Sequence, residues 1–410
     1  MAIGAWVLML AAGIGVGAAL CAGLVVPRRS LWIVTAAGAL SLLALLAGLT
    51  GIWRTTAHQD ADVASGFIAL GAAIGGFALF AALLPALTRP RRHPIAIQPG
   101  DDDGRLRVIV LADAEPEVYS PVAVTEILED LAESDVPLPP EAARPLVYAS
   151  ERSRYRGVGG SPMRPMVRHL VEVVGALVAA RDADALTLPA FCTGLNGLTP
   201  TIAAETAQGA RTIVVAPCSV SRTRAVDRAH RAVDDLGLEA VGISVRFASP
   251  LWESEAVGAL VAQHTIDAFE GEPQQEDGVV LVCEGEPAQW QRGFSTTMEQ
   301  ETFFSQRVRA ALIEAGFEEQ RVRVGWLEWE EPDVHEVLRH LAALGSRRIA
   351  LVPTGIAFDS VETRIDLHAA ADRVALETES EVFVLPGWGD DPVVAEAICE
   401  SVFAALADPA

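Results

Sequence analysis

IALVPTGIAFDSVETRID, residues 349–366, is the stretch from which the fold is read. The apolar run 349–352, closed by Pro353, reads as a buried parallel strand, and the polar turn after it opens a helix. Asp359 then falls at the helix N-cap. Glu362 follows three residues later and Asp366 one turn further, so both carboxylates project from one helical face toward the carboxyl end of the sheet. In open α/β folds ligands bind at that end.

Outward from this stretch the same alternation repeats. Apolar runs near 106–112, 185–191, 211–217 and 239–245, then near 278–283, 321–327, 348–353 and 381–385, are separated by amphipathic stretches such as 164–180, 221–236, 251–269, 299–315, 333–344 and 391–406. Strands that alternate with helices make a parallel sheet covered on both faces. Four strands in each half predict two Rossmann-like lobes, 106–270 and 271–410. A short echo agrees: GARTIVVAP (209–217) aligns with GSRRIALVP (345–353) without a gap.

The first quarter of the chain differs. Runs 5–26, 31–53 and 66–87 are long, apolar and uncharged until their ends, which predicts a three-helix transmembrane anchor over 1–93 and multi-pass insertion in the lipid bilayer of the cell membrane. One cleaved signal peptide would account for one run, not three. Arg28 and Arg29 follow the first run and Arg89, Arg91 and Arg92 the third, while the loop between the second and third carries Arg54 with Asp60 and Asp62. The positive-inside rule then puts the N-terminus outside and everything after residue 93 in the cytoplasm. PIAIQPGDDDG (94–104) reads as a linker ending at Arg105.

Beyond residue 95 there are 25 arginines against 52 acidic residues, a surface that repels nucleic acid. The chain has no lysine, which excludes Schiff-base chemistry and the phosphate-binding Lys of a P-loop. Five cysteines without CxxC spacing predict reduced thiols; Cys192, Cys218 and Cys283 each close a strand, where a thiol either packs in the core or lines a cleft that takes a soft metal.

VPTGIAFDSVETRID (352–366) also resembles the signature of the ferrochelatase family, whose members insert ferrous iron into a porphyrin. That signature has a proline at the strand end, an Asp, a variable pair and Glu-Thr, matched by Pro353, Asp359, Glu362 and Thr363. YRGVGGSP (155–162) is similar to the family's Tyr-x-x-x-Gly-Gly-x-Ser-Pro segment, WEEPDVHEVL (329–338) to its Trp-x-x-Pro helix start, and GDDPVVAEAI (389–398) to its closing segment. The similarity runs over 106–403.

The resemblance implies a chelatase-like pair of lobes with a porphyrin cleft between them. The cleft must bend the macrocycle, a base must take two pyrrole protons, and ligands must deliver and release the metal. It implies Glu284, Glu362 and Asp366 as catalytic carboxylates, with Glu284 and Glu362 also metal ligands, and Tyr155, Ser161 and Trp329 as residues that hold the tetrapyrrole. In VCEGEP (282–287), which matches the family's Ser-Ala-His-Gly-Leu-Pro-like segment at Gly285 and Pro287, Glu284 stands where the catalytic histidine belongs; Ser360 replaces a second family histidine. The implied substrates are a divalent metal, ferrous iron, and coproporphyrin or protoporphyrin, with no organic cofactor and no iron-sulfur cluster. The alternatives are a chelatase-like porphyrin or haem binder or membrane scaffold without turnover, and a sirohydrochlorin-type chelatase for another metal.

Overall fold

The structure is a computed structural model and describes residues 2–27, 30–55, 59–89, 95–113, 115–133, 135–192, 197–291 and 296–407. The chain divides into two compact units, one of Met1–Arg91 with Val118–Gly159, the other of Arg92–Glu117 with Gly160–Ala410.

In the first unit α1 (Ala2–Val25), α2 (Leu31–Thr55) and α3 (Gln59–Thr88) each contain a stretch long and apolar enough to cross a membrane: Trp6–Val25, Leu31–Thr50 and Phe67–Thr88. Glycines let their backbones approach. A Cβ on Gly17 would lie 1.8 Å from the Ala73 carbonyl oxygen, and one on Gly76 2.2 Å from that of Ile14. Two further helices, α4 (Pro121–Glu133) and α5 (Arg144–Val158), hold the ends of α1 and α3. The Tyr119 hydroxyl donates to the Val25 carbonyl at 2.6 Å, and Arg152 donates to those of Gly23 and Val26 at 2.6 and 3.0 Å. These donors satisfy carbonyls that a helix C-terminus leaves without partners. Val25, Leu84, Val124 and Tyr148 close a small apolar core beneath them. Arg28, Arg29, Arg91 and Arg92, four of the arginines behind the expected orientation, lie outside the described residues.

The second unit holds two four-stranded parallel sheets. β1 (Leu106–Ala112), β2 (Leu186–Phe191), β3 (Thr212–Pro217) and β4 (Ser244–Phe247) lie in the order β2-β1-β3-β4. β5 (Asp277–Cys283), β6 (Val322–Trp326), β7 (Arg348–Pro353) and β8 (Glu381–Val384) lie in the order β6-β5-β7-β8, the same topology. The echoed segments end in β3 and β7, which hold equivalent places.

Nine helices are described around the sheets: α6 (Met163–Arg181), α7 (Leu198–Ala207), α8 (Arg224–Asp234), α9 (Glu255–Ala268), α10 (Ala288–Gln291), α11 (Thr296–Glu314), α12 (Val334–Ala343), α13 (His368–Glu377) and α14 (Pro392–Ala407). Strand periodicity of two sorts the side chains into layers. Val108, Val110, Val279 and Leu281 enter one core shared by both sheets with α6, α9, α11 and α14. Ile109 and Leu111 face α7 and α8, and Val280 and Val282 face α12 and α13. The fold is thus the two-lobed, doubly covered arrangement that the apolar runs predict.

Two local expectations are corrected. The strand read at 239–245 forms at Ser244–Phe247, because Gly237 and Gly242, both with left-handed φ (62° and 74°), enclose the short 3₁₀ turn Leu238–Val241. The helix after β7 starts one residue later than read. Ser360 and Thr363 form its reciprocal cap, the Thr363 N–H donating to Ser360 Oγ at 3.0 Å and the Ser360 N–H to Thr363 Oγ1 at 2.9 Å. Asp359 instead accepts from the Gly387 N–H at 2.7 Å and from Arg364 at 3.2 Å.

Candidate active site

The central strands β1 and β5 are each followed at once by an acid, Asp113 and Glu284. Beneath the second acid lies Glu301 of α11, fully buried, whose Oε2 accepts the Glu284 N–H at 3.0 Å and whose Oε1 accepts from the Ser221 hydroxyl at 3.4 Å. Gly355 makes room for that carboxylate: a Cβ there would stand 2.7 Å from Glu301 Oε2 and 2.9 Å from the Glu284 nitrogen. Gly285, with φ 87°, makes room for the loop through Glu328, since its Cβ would meet the Glu328 carbonyl oxygen at 2.1 Å. The Glu328 N–H donates to the Glu284 carbonyl at 3.0 Å, which lays the loop bearing Trp329 on the acidic turn.

Glu284 presents accessible surface just past the end of β5, while the surrounding protein still shields its carboxyl from water. Burial raises the Glu284 carboxyl well above the ordinary carboxylate range, and the charges of Glu301, Glu362, Asp113 and Glu286 add to the effect. Burial likewise pushes Glu301 from 4.5 up to about 8, with Glu286 adding to it and the hydrogen bonds from Glu284, Gly285 and Ser221 opposing it. Glu286, 6% exposed, is raised by burial, against the hydrogen bonds from the Arg224 N–H and the Thr297 hydroxyl. A close set of carboxylates in a poorly hydrated place holds protons that isolated ones would lose.

Of the residues singled out from sequence, Glu284 and Glu362 come together: Glu362, half-buried, is near enough to raise Glu284. Since the helix cap is Ser360 with Thr363, capping does not account for Glu362. Asp366 is half-buried one turn further, within a π-helical stretch, Thr363–Leu367. Such stretches recur at functional sites. Trp329 is 53% exposed with φ 63°, on the loop bonded to Glu284, whereas Trp326 packs in the core. Ser161 is buried, and its hydroxyl accepts the Met163 N–H at 3.2 Å at the start of α6. Tyr155 belongs to the unit with the apolar helices, its ring edge-on to Tyr119.

Cys218 and Cys283 are buried and Cys192 half-buried, and burial raises all three thiols. His368 is exposed at the start of α13.

Sequence reading missed Asp113, Glu286 and Glu301. For the first two a signal exists. Asp113-Ala114-Glu115-Pro116 and Glu284-Gly285-Glu286-Pro287 are one acid-x-Glu-Pro pattern after equivalent strands. Glu301 has no comparable signal in TTMEQETFFSQ (296–306).

A family model for ferrochelatase matches residues 143–406, more than half of the chain. The chain belongs to the ferrochelatase family. In this ferrochelatase-family chain Glu284 is a carboxylate in the acidic cluster described above. Among curated proteins no sequence matches. Similar solved structures include SirB from Bacillus subtilis with Fe3+, 14% identical over 74% of this chain and 96% of that one (TM-score 0.47). The sirohydrochlorin chelatase SirB from Bacillus subtilis subspecies spizizenii in complex with cobalt is 11% identical over 74% and 97% (TM-score 0.44). DR2241 from Deinococcus radiodurans, a multi-domain protein with structural similarity to chelatases, is 16% identical over 75% and 56% (TM-score 0.44).

Proposed function

We propose that this family member is a membrane-anchored metal chelatase that inserts ferrous iron into a porphyrin, coproporphyrin or protoporphyrin, at the cytoplasmic face of the membrane. The reading is carried by Glu284, which lies exposed past the end of β5, where the resemblance puts the family's histidine, and whose carboxyl is raised well above the ordinary carboxylate range by burial and neighbouring acids. An ordinary carboxylate is too weak a base for a pyrrole N–H; a raised one is stronger.

The reaction exchanges two pyrrole protons for one divalent ion, which leaves the macrocycle neutral at its centre. Glu284 and Glu362 take the protons and guide the cation; Asp366, one turn along the same helix, receives them next. The negative cluster concentrates ferrous iron from solution, and carboxylates that become protonated hold it less strongly, which assists its transfer to the ring. Trp329, exposed beside the Glu284 turn, stacks against the macrocycle, and Ser161 supports its binding. No organic cofactor or iron-sulfur cluster enters this scheme. Three spans keep an apolar product at the bilayer.

The test is metallation by the full chain in nanodiscs. Glu362→Gln and Glu284→Ala should each lower the rate by on the order of a hundredfold, as removal of a positioned acid-base group does, while porphyrin binding persists. Unchanged rates in both variants would contradict the assignment.

Glu284, a carboxylate where the resemblance puts a histidine, favours a second reading, a chelatase-like porphyrin or haem binder or a membrane scaffold. It predicts tight tetrapyrrole binding, no metallation, and a Soret shift unaffected by Glu284→Ala.

A further inference from the structure

The two acidic turns share more than their sequence. In each, the second acid reaches into the opposite lobe. Glu115 Oε1 accepts the Val361 N–H at 2.6 Å, and Val361 is the first residue of the helix that follows β7. Glu286 Oε1 accepts the Arg224 N–H at 3.4 Å, and Arg224 is the first residue of α8, which follows β3. β3 and β7 occupy the same place in the two sheets, so each lobe supplies an acceptor to the other's helix at the same position. The N–H groups of a first helical turn have no acceptor within the helix, and a carboxylate also complements the positive end of its dipole.

What each capped helix start holds is an acid of the site. Glu362 is the residue after Val361. Thr223, the residue before Arg224, donates its hydroxyl to Asp113 at 3.3 Å. The α8 side is tied further: the Thr297 hydroxyl contacts both Glu286 Oε1 at 3.1 Å and the Arg222 carbonyl at 3.0 Å, and Gln300 accepts the Arg222 N–H at 2.6 Å.

We propose that Glu115 is a positioning residue for the chelatase reaction: by capping Val361 from the opposite lobe it sets Glu362 against Glu284, and Glu286 does the mirror-image task for Asp113 through α8. The inference rests on the chelatase reading above. It adds a pair of residues that act through the helix starts they cap and explains why both turns carry a second glutamate before proline.

The full chain in nanodiscs is compared with Glu115→Ala and Glu115→Gln, the amide oxygen of the latter keeping an acceptor for Val361. Ferrous-iron insertion into coproporphyrin and protoporphyrin is measured alongside amide hydrogen exchange over 360–367. Glu115→Ala should lower kcat on the order of tenfold with the porphyrin KM within about twofold of wild type, because a slightly misplaced reacting group costs rate and not binding. Exchange at Val361 and Glu362 should quicken in the same variant, and Glu115→Gln should restore both. Wild-type kcat in Glu115→Ala, or loss in Glu115→Gln equal to that in Glu115→Ala, would overturn the positioning role. A wild-type chain without metallation would overturn the functional reading itself; exchange unchanged by Glu115→Ala would then overturn the cap independently.

Discussion

A carboxylic acid held near neutrality is unstable company for its neighbours, and Glu301 shows the consequence. Its folded-state value of about 8 lies above the ordinary 4.5, so between these values the folded protein binds a proton that the unfolded chain has lost. The contribution of Glu301 to stability is therefore greatest below about 4.5 and falls as pH rises toward about 8. Glu301→Gln keeps acceptors for the Glu284 and Gly285 N–H groups and removes the titration. Thermal unfolding of the full chain in detergent across that range should show a smaller decline in the variant; an equal decline would contradict the assignment. Glu284 and Glu362 could be singled out in sequence because each stands in a motif that resembles the family's. Glu301 was not, since its importance comes from burial against Gly355 and the Glu284 turn, which only the folded chain creates. The helix start was misplaced by one residue because Asp359, a good capping type, bonds to Gly387 and Arg364 instead.

Among the elements, the strands were the most readable, because buried parallel strands are continuous apolar runs and all seven apart from β4 lie within a residue or two of where those runs fall. β4 moved because glycine conformations at 237 and 242, invisible to a hydropathy pattern, make a turn first. The loop between β7 and the Glu362 helix illustrates how tightly elements meet at the site. Gly355→Ala would press a methyl group between Glu301, the Cys283 Cα and the Glu284 nitrogen. It should cost about 1–3 kcal/mol of stability by overpacking and lower metallation together with it. Chemical denaturation beside the rate assay checks this; a variant as stable and active as wild type would mean that the turn has slack it does not show.

On the scale of the whole molecule, the duplication of a four-stranded unit was legible from strand count and the 209–217 and 345–353 echo, whereas the partnership of Val118–Gly159 with the apolar helices was not. No hydropathy pattern reveals that Tyr119 and Arg152 bond the last carbonyls of α1, or that Val124 and Tyr148 pack with Val25 and Leu84. Removal of residues 1–91 should strip these partners and leave Val118–Gly159 open to limited proteolysis; protection equal to that of the full chain would show the segment to be self-sufficient. The catalytic account is consequently tested on the intact chain. The most direct measurement is the initial rate at which wild-type protein in nanodiscs metallates coproporphyrin and protoporphyrin with ferrous iron, followed in the Soret band, with sirohydrochlorin and cobalt or nickel run in parallel. Iron insertion into a porphyrin as the fastest reaction is the predicted result; porphyrin binding without turnover, or turnover with sirohydrochlorin alone, would contradict it.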